Sequence, residues 1–252
     1  MAQASDASPV VFRYHFTFPS GVQKTFTVHL DPRTLQLLPP ERPSLPEWTR
    51  LGCSKCPNCP LTDAQSPQCP AATSLIDIVE HFGRSLSIEQ VDVRIEAGER
   101  QYLKRCSLQE AVSSLVGLYM ATSGCPVMAR LRPMVRFHLP FATLEETRYR
   151  ALSMYLLAQY LIAQHGGTPD WNCRGLVDLY EAVRRVNLAF ANRLREAGVE
   201  DASLNALIRL DAFADTIAFT VDQKLLEELT PLFQAYLAGE TGGASAARGS
   251  HP

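Results

Sequence analysis

Phe12-Arg13-Tyr14-His15-Phe16-Thr17-Phe18 alternates aromatic and polar side chains at every step. Period two puts the four rings on one face of an extended chain and the polar residues on the other, the pattern of a half-buried β-strand. Pro19-Ser20-Gly21 supplies a turn, and Val22, Phe26, Val28 and Leu30 resume the apolar series. The opening segment therefore reads as a β-hairpin with one buried face. Further on, Val91, Val93 and Ile95 alternate again, Ala97-Gly98-Glu99 turns the chain, and Tyr102 and Leu103 lie on a return strand. Two hairpins of this kind make an antiparallel sheet.

Helical spacing surrounds the second hairpin. Leu75, Ile76, Ile78, Val79 and Phe82 mark a short amphipathic helix from about Ala71, ended by Gly83. Ser107 with Glu110 has the spacing of a capping box and opens a helix to about Ser123, stopped by Gly124. From there on only helical periodicity remains. Thr143 with Glu146 is a second capping-box pair, and Gly166-Gly167 closes the helix it opens. The apolar run from Ala151 to Ala163 in that helix is too short to span a bilayer, which needs ~20 apolar residues. It reads as the most buried helix of this half. Leu176, Leu179, Tyr180, Val183, Val186, Phe190 and Leu194 mark the next helix. Leu204, Leu207, Ile208, Phe213 and Ile217 mark another, and Leu225, Leu226, Leu229, Phe233, Tyr236 and Leu237 a last one.

The order is ββ, Cys loop, αββα, then helices, which predicts an α+β fold: an N-terminal antiparallel sheet followed by an all-helical half. The expected division is an α+β region over 1–125, carrying a Cys-Pro-rich loop at 51–70, a helical region over 126–238, and a disordered Gly-rich tail over 239–252. Across the 252 residues a formal net charge of −2 gives no global basic field, so no nucleic-acid partner is expected. Residues 1–9 have neither the basic start nor the apolar core of an export signal, so a cytoplasmic location is expected.

The chemistry lies in the loop. Cys53, Cys56, Cys59 and Cys69 follow C-x2-C-x2-C-x9-C spacing, after a connector stiffened by Pro39, Pro40, Pro43 and Pro46. Two thiolates separated by two residues can turn onto one ion, so this spacing recurs at zinc and iron–sulfur sites. Four of the seven cysteines precede proline: Cys56, Cys59, Cys69 and Cys125. A residue before proline is held extended, which fixes where its side chain points. Proline also suits the first position of a helix. Cys69 is thus placed to cap the helix at Ala71, and Cys125 a short helix through Met128 to Leu131, where backbone N–H groups favour a thiolate. The expected metal set is Cys56, Cys59, Cys69 and Cys125. The alternates are Cys53, which would complete a purely local set, and His138. The cofactor, Zn2+ or an Fe–S cluster, stays open between the two. The competing readings are small buried thiols in a shaped loop, and redox chemistry at Cys56-Pro-Asn-Cys59, which has the C-P-x-C form of glutaredoxin-type sites but not their strand–helix setting.

Two weaker constellations remain. Arg130, Arg132 and Arg136 form a local basic stretch able to take an anion, though such runs are usually solvated faces. Asp211 and Asp215, four residues apart, share a helix face; solvent exposure accounts for them better than acid–base work. Among nucleotide and hydrolase motifs there is no P-loop, no G-x-G-x-x-G and no G-x-S-x-G.

The opening hairpin, Cys56-Pro-Asn-Cys59-Pro-Leu, Cys69-Pro, Met120-Ala-Thr-Ser-Gly-Cys125-Pro, and Arg132-Pro-Met-Val-Arg136-Phe-His138-Leu-Pro-Phe together resemble a family of uncharacterised bacterial proteins, a domain of unknown function. The resemblance covers nearly everything except the two ends. It implies a bacterial, cytoplasmic origin and supplies no catalytic residue. The expectation is a metal-binding protein without catalytic activity, its helical half presenting a surface to a protein partner. An Fe–S or zinc enzyme with redox or hydrolytic activity, and an interaction module with structural cysteines only, are the rival expectations.

Overall fold

In the computed structural model, which describes residues 8–83, 85–198, 202–220 and 227–241, the chain is α+β. The first hairpin consists of β1 (Val10–Thr17) and β2 (Gln23–Leu30), the second of β3 (Gln90–Ala97) and β4 (Arg100–Ser107). They form one four-stranded antiparallel sheet in the order β2-β1-β3-β4. Register follows the alternation. Tyr14 stands opposite Phe26 on one side and Ile95 on the other, and Phe16 stands opposite Val93. One face is therefore lined by Phe12, Tyr14, Phe16, Phe26, Val28, Val91, Val93 and Ile95, all buried. Val22 is the exception to the expected series: it sits outside β2 and is exposed. The edge strand β4 keeps Arg100, Lys104 and Arg105 in solvent, charges that discourage pairing with another chain.

Helices cover the apolar face. The segment expected as one helix is two, α1 (Pro70–Ser74) and α2 (Ile76–Phe82), broken at Leu75, whose backbone leaves the helical region (φ −101°, ψ 4°). Phe82 closes the aromatic layer, with ring centroids 5.0 Å from Phe16 and 5.2 Å from Phe26. Helix α3 (Leu108–Thr122) is buried almost all round and packs on β3, β4 and the later helices. Ser107 occupies its N-cap position but makes no side-chain cap bond. Glu110 instead pairs with Lys104 Nζ at 2.7 Å, so the expected capping box does not form.

Beyond α3 come a 3-10 turn (Met128–Leu131), α4 (Pro133–Arg136), α5 (Leu144–Gln164), α6 (Arg174–Glu196) and α7 (Ala202–Thr220). The Thr143–Glu146 capping box is complete at α5: Glu146 N–H donates to Thr143 Oγ1, and Thr143 N–H to Glu146 Oε2. The most buried helix of this half is α6 rather than α5. All seven apolar residues that mark α6 are buried, whereas α5 buries only Ala151, Leu152, Tyr155 and Gln159. Leu157, Tyr160, Leu161 and Ile162 face solvent. The apolar run of α5 circles the helix, and only the side against the core is covered. Leu157→Lys is accordingly expected to leave the fold of the chain intact, its far-ultraviolet circular dichroism spectrum and soluble yield matching those of the parent.

Leu207 of α7 is buried; the side chains of Phe213 and Ile217, and residues 221–226, lie outside the described part. Of the last apolar series, Leu225 and Leu226 lie outside the described residues, Leu229 packs partly buried against the core, and Phe233, Tyr236 and Leu237 are exposed on a 3-10 turn (Thr230–Phe233) and α8 (Gln234–Thr241). Helix α8 carries ordered backbone to Thr241, three residues into the segment expected to be disordered. A single buried cluster runs from the sheet through α3 into α6 and α7.

Candidate metal centre

Three separate segments bring the Cys-Pro thiols together. Cys56 and Cys59 lie on one tight turn, closed by Cys59 N–H donating to the Cys56 carbonyl at 3.0 Å. Cys69 is the N-cap of α1, with Pro70 at the first helical position, although its sulfur makes no cap bond. Cys125 follows the end of α3. Gly124 there adopts φ +93°, the left-handed region that favours glycine, and a Cβ on it would stand 3.9 Å from Pro70 Cβ. That close approach sets the Gly124-Cys125 turn against the Cys69-Pro70 turn. The Cys125 sulfur receives the backbone N–H groups of Val127 and Met128. The cap position of the 3-10 turn (Met128–Leu131) falls to Val127 rather than to Cys125, which lies two residues further ahead.

Cys56 and Cys125 feel the neighbouring thiols electrostatically. Burial, then the neighbouring Cys69, Cys125 and Cys59, push the Cys56 thiol up to about 12. Burial likewise raises Cys125, against the pull of its two backbone N–H groups. Such thiols stay protonated in the absence of a cation, and a metal must displace their protons to bind. Among the described residues no three or more His, Cys, Asp or Glu side chains are gathered tightly enough to hold an ion as they stand. All seven cysteines are free thiols. The other cysteines of the set are near enough to act on the Cys56 and Cys125 thiols, but the four do not converge on one point as they stand.

The remaining cysteines lie elsewhere. Cys53 donates to Glu196 Oε2 at 3.9 Å, at the end of α6. Cys106 is buried on β4, and Cys173 is the left-handed N-cap residue of α6. His138 is committed to another neighbourhood: its Nε2 lies 2.6 Å from the Tyr14 hydroxyl and its ring meets Phe12 edge-on at 5.3 Å. The three arginines serve different neighbours. Arg130 lies near Tyr155, Arg132 donates to the Thr34 carbonyl at 3.3 Å, and Arg136 is exposed. Asp211 and Asp215 both face Arg184, with Asp215 2.8 Å from its guanidinium.

The structure adds a group the sequence reading passed over. Arg193 of α6 is 1% exposed, yet no carboxylate pairs with it among the described residues. Its guanidinium donates to the carbonyls of Trp48 (2.7 Å), Arg50 (2.6 Å) and Leu51 (3.3 Å), the three residues that enter the Cys loop. Its positive charge reaches Cys56 and pulls that thiol downward. A buried charge is costly unless paired, so Arg193 is a cation facing thiols that can become anions. Asn58, between Cys56 and Cys59, adds a second clamp by donating to the Ala182 carbonyl at 3.0 Å. A periodicity signal for Arg193 existed, since Val186, Phe190 and Arg193 fall at helical spacing on the apolar stripe of α6.

A family model described as a domain of unknown function, DUF6901, matches residues 12–234. The chain belongs to that family. The match takes in the sheet, the Cys loop, Cys125 and α6, so the parts that meet at the thiols all lie within the family domain. No curated protein and no solved structure matches the chain. Among the described residues no helix is long and apolar enough to cross a membrane.

His138 carries a stability consequence of its own. Burial first, then Arg150, lowers its pKa from 6.5 to about 3. The neutral ring accepts from the Tyr14 hydroxyl, whose own acidity burial suppresses. A folded-state pKa below the unfolded value means that the unfolded chain binds the proton first. The contribution is whole above pH 6.5 and is lost as pH falls from there towards 3. We expect chemical denaturation to show on the order of 4 kcal/mol lost across that window, and His138→Gln to flatten the profile.

Proposed function

We propose that this is a cytoplasmic, non-catalytic metal-binding protein in which Cys56, Cys59, Cys69 and Cys125 hold one zinc ion. The observation that carries the reading is the proximity of four thiols from three segments, beside a buried arginine without a carboxylate partner among the described residues. Four thiolates and Zn2+ sum to a charge of −2, which Arg193 halves. Closed four-thiolate sites are structural, because they leave no position for water or substrate. The role is to lock the segment that enters the loop, the end of α3 and helix α6 into one unit. Free thiols of this kind persist in a reducing compartment, which supports the cytoplasmic assignment.

Metal analysis and an absorption spectrum of anaerobically purified protein test this. Colourless protein with one zinc per chain is the expected result. Brown protein with acid-labile sulfide would replace zinc by an Fe–S cluster on the same thiols and reopen a redox role. Protein carrying neither would overturn the metal reading and leave an interaction module with structural cysteines.

The partner surface belongs on α5. Residues 151–164 contain no charged side chain, and Leu157, Tyr160 and Leu161 are exposed there. A stripe without lysine or arginine has nothing to offer phosphate, and without charge it does not repel its own copy, so a second copy of this chain is the partner it fits best. A dimer by light scattering that Leu157→Lys converts to monomer is the expected outcome; a monomeric parent protein would remove the surface from the proposal.

A further inference from the structure

A cavity of about 200 Å3 lies between α3, α6, α7 and the segment that follows the 3-10 turn at Met128–Leu131. It is separate from the thiol centre: none of the four cysteines lines it. Its walls are mostly apolar, with Leu118, Met134, Val135, Val183 and Leu210 among them. Three polar groups on those walls are poorly provided for. Asn187 is 2% exposed, and its Oδ1 has no hydrogen-bond partner among the described residues. It stands within the apolar stripe of α6, where a buried amide oxygen without a donor is a real cost. Tyr180 is also buried, and among the described residues its hydroxyl reaches only the Met134 thioether, at 3.9 Å, a weak acceptor. Arg150 spends one guanidinium nitrogen on the carbonyls of Met134 (2.9 Å) and Phe137 (3.0 Å), and no carboxylate lies within ion-pair distance of it among the described residues.

We propose that this cavity is a binding site for a small one-ring carboxylic acid carrying a hydroxyl at the end opposite its carboxylate. Each part of that description answers a wall group. The apolar lining and the volume suit a ring: a cavity of roughly 150 Å3 already takes benzene. The carboxylate goes to Arg150 and the Tyr180 hydroxyl, which are close enough to influence each other. The distal hydroxyl donates to Asn187 Oδ1. Tyr180, Val183 and Asn187 follow one another along a single face of α6, so the two polar ends lie two turns, about 10 Å of helix, apart. That separation excludes ligands whose polar groups are adjacent. Charge agrees with an anion. Of the charged residues lining the cavity, Arg150 and Arg209 are cationic and Glu110 anionic, and Glu110 is matched by Lys104 at 2.7 Å and Arg209 at 3.8 Å. His138, also on the wall, is neutral near pH 7.

The test uses the full chain as purified, titrated calorimetrically with 4-hydroxybenzoate, benzoate and phenol. The parent protein should bind 4-hydroxybenzoate about tenfold more tightly than benzoate, and phenol more weakly than either acid. Asn187→Leu is close to isosteric and removes an unsatisfied polar atom, so it should keep the parent melting temperature. In that variant the two acids should bind equally. Three results would overturn the proposal: no saturable binding of any probe up to about 10 mM, an affinity pair already equal in the parent, or an advantage for the hydroxylated acid that survives Asn187→Leu.

Discussion

Cys125→Ser should lose bound zinc and fall in melting temperature by about 10 °C, while Cys53→Ser should retain both metal and stability. The two cysteines compete for the fourth place in the site, and their surroundings differ. The thiol of Cys125 couples to Cys56, Cys59 and Cys69 and receives two backbone N–H groups. The thiol of Cys53 is turned towards Glu196. An ion held by the long-range set ties the loop to the end of α3, so its binding energy becomes folding energy for the whole unit. At a free zinc concentration ~1,000 times Kd that linkage is worth about 4 kcal/mol. In a domain of this size each kcal/mol moves the melting temperature by roughly 2–4 °C. Metal content by mass spectrometry and thermal denaturation with and without a chelator measure both. The reverse pattern, with zinc lost only in Cys53→Ser, would give the site to the local set of Cys53, Cys56, Cys59 and Cys69. Zinc retained in both variants would mean a three-thiolate site completed by another group.

What could be read from the chain divides along the range of the interactions. The hairpins are written locally: period two at Phe12 to Phe18 and again at Val91 to Ile95 is imposed by the pleat, and burial follows it residue for residue. The same holds for α6, whose stripe is narrow and continuous. Helix α5 shows how apolar content misleads. Its side chains are apolar all round, and composition alone does not say which side meets the core. The capping pairs show a similar divide. Thr143–Glu146 closes with no ion pair to Glu146 among the described residues, whereas Glu110 is drawn to Lys104 and Arg209, two cations brought near by the tertiary fold.

The thiol centre was partly legible for a backbone reason. Proline after Cys56, Cys59, Cys69 and Cys125 restricts the chain at those four positions, and the four are the cysteines that share a neighbourhood. Arg193 and Asn187 were legible only as polar residues on the apolar stripe of α6, a placement that assigns them no role. Periodicity weighs such residues as noise. In the folded chain each is a buried polar group whose partner is either backbone or a ligand, and both lie where something charged or hydrogen-bonding is wanted.

Arg193→Met is expected to cost about 4 kcal/mol, near 10 °C in melting temperature, and to weaken zinc binding as well. The stability loss follows from the carbonyls of Trp48 and Leu51, which would lose the guanidinium donor, and from that of Arg50, which would keep only the Cys53 N–H. Stability alone does not separate a staple from a counter-charge, since both roles predict a drop. Arg193→Lys separates them. Lysine keeps the positive charge but lacks the planar fork that spans three carbonyls, so it too should lower stability. Zinc affinity should then diverge. The methionine variant, with no cation to offset the excess negative charge of a four-thiolate zinc site, should bind zinc at least about tenfold more weakly than the lysine variant, an effect of the size expected for neighbouring charges at an effective dielectric near 20. Chelator competition on the folded protein, held well below each variant's melting temperature, supplies the comparison. Equal zinc affinity in the two variants would reduce Arg193 to a staple for the loop, and the charge argument for the metal centre would fall with it.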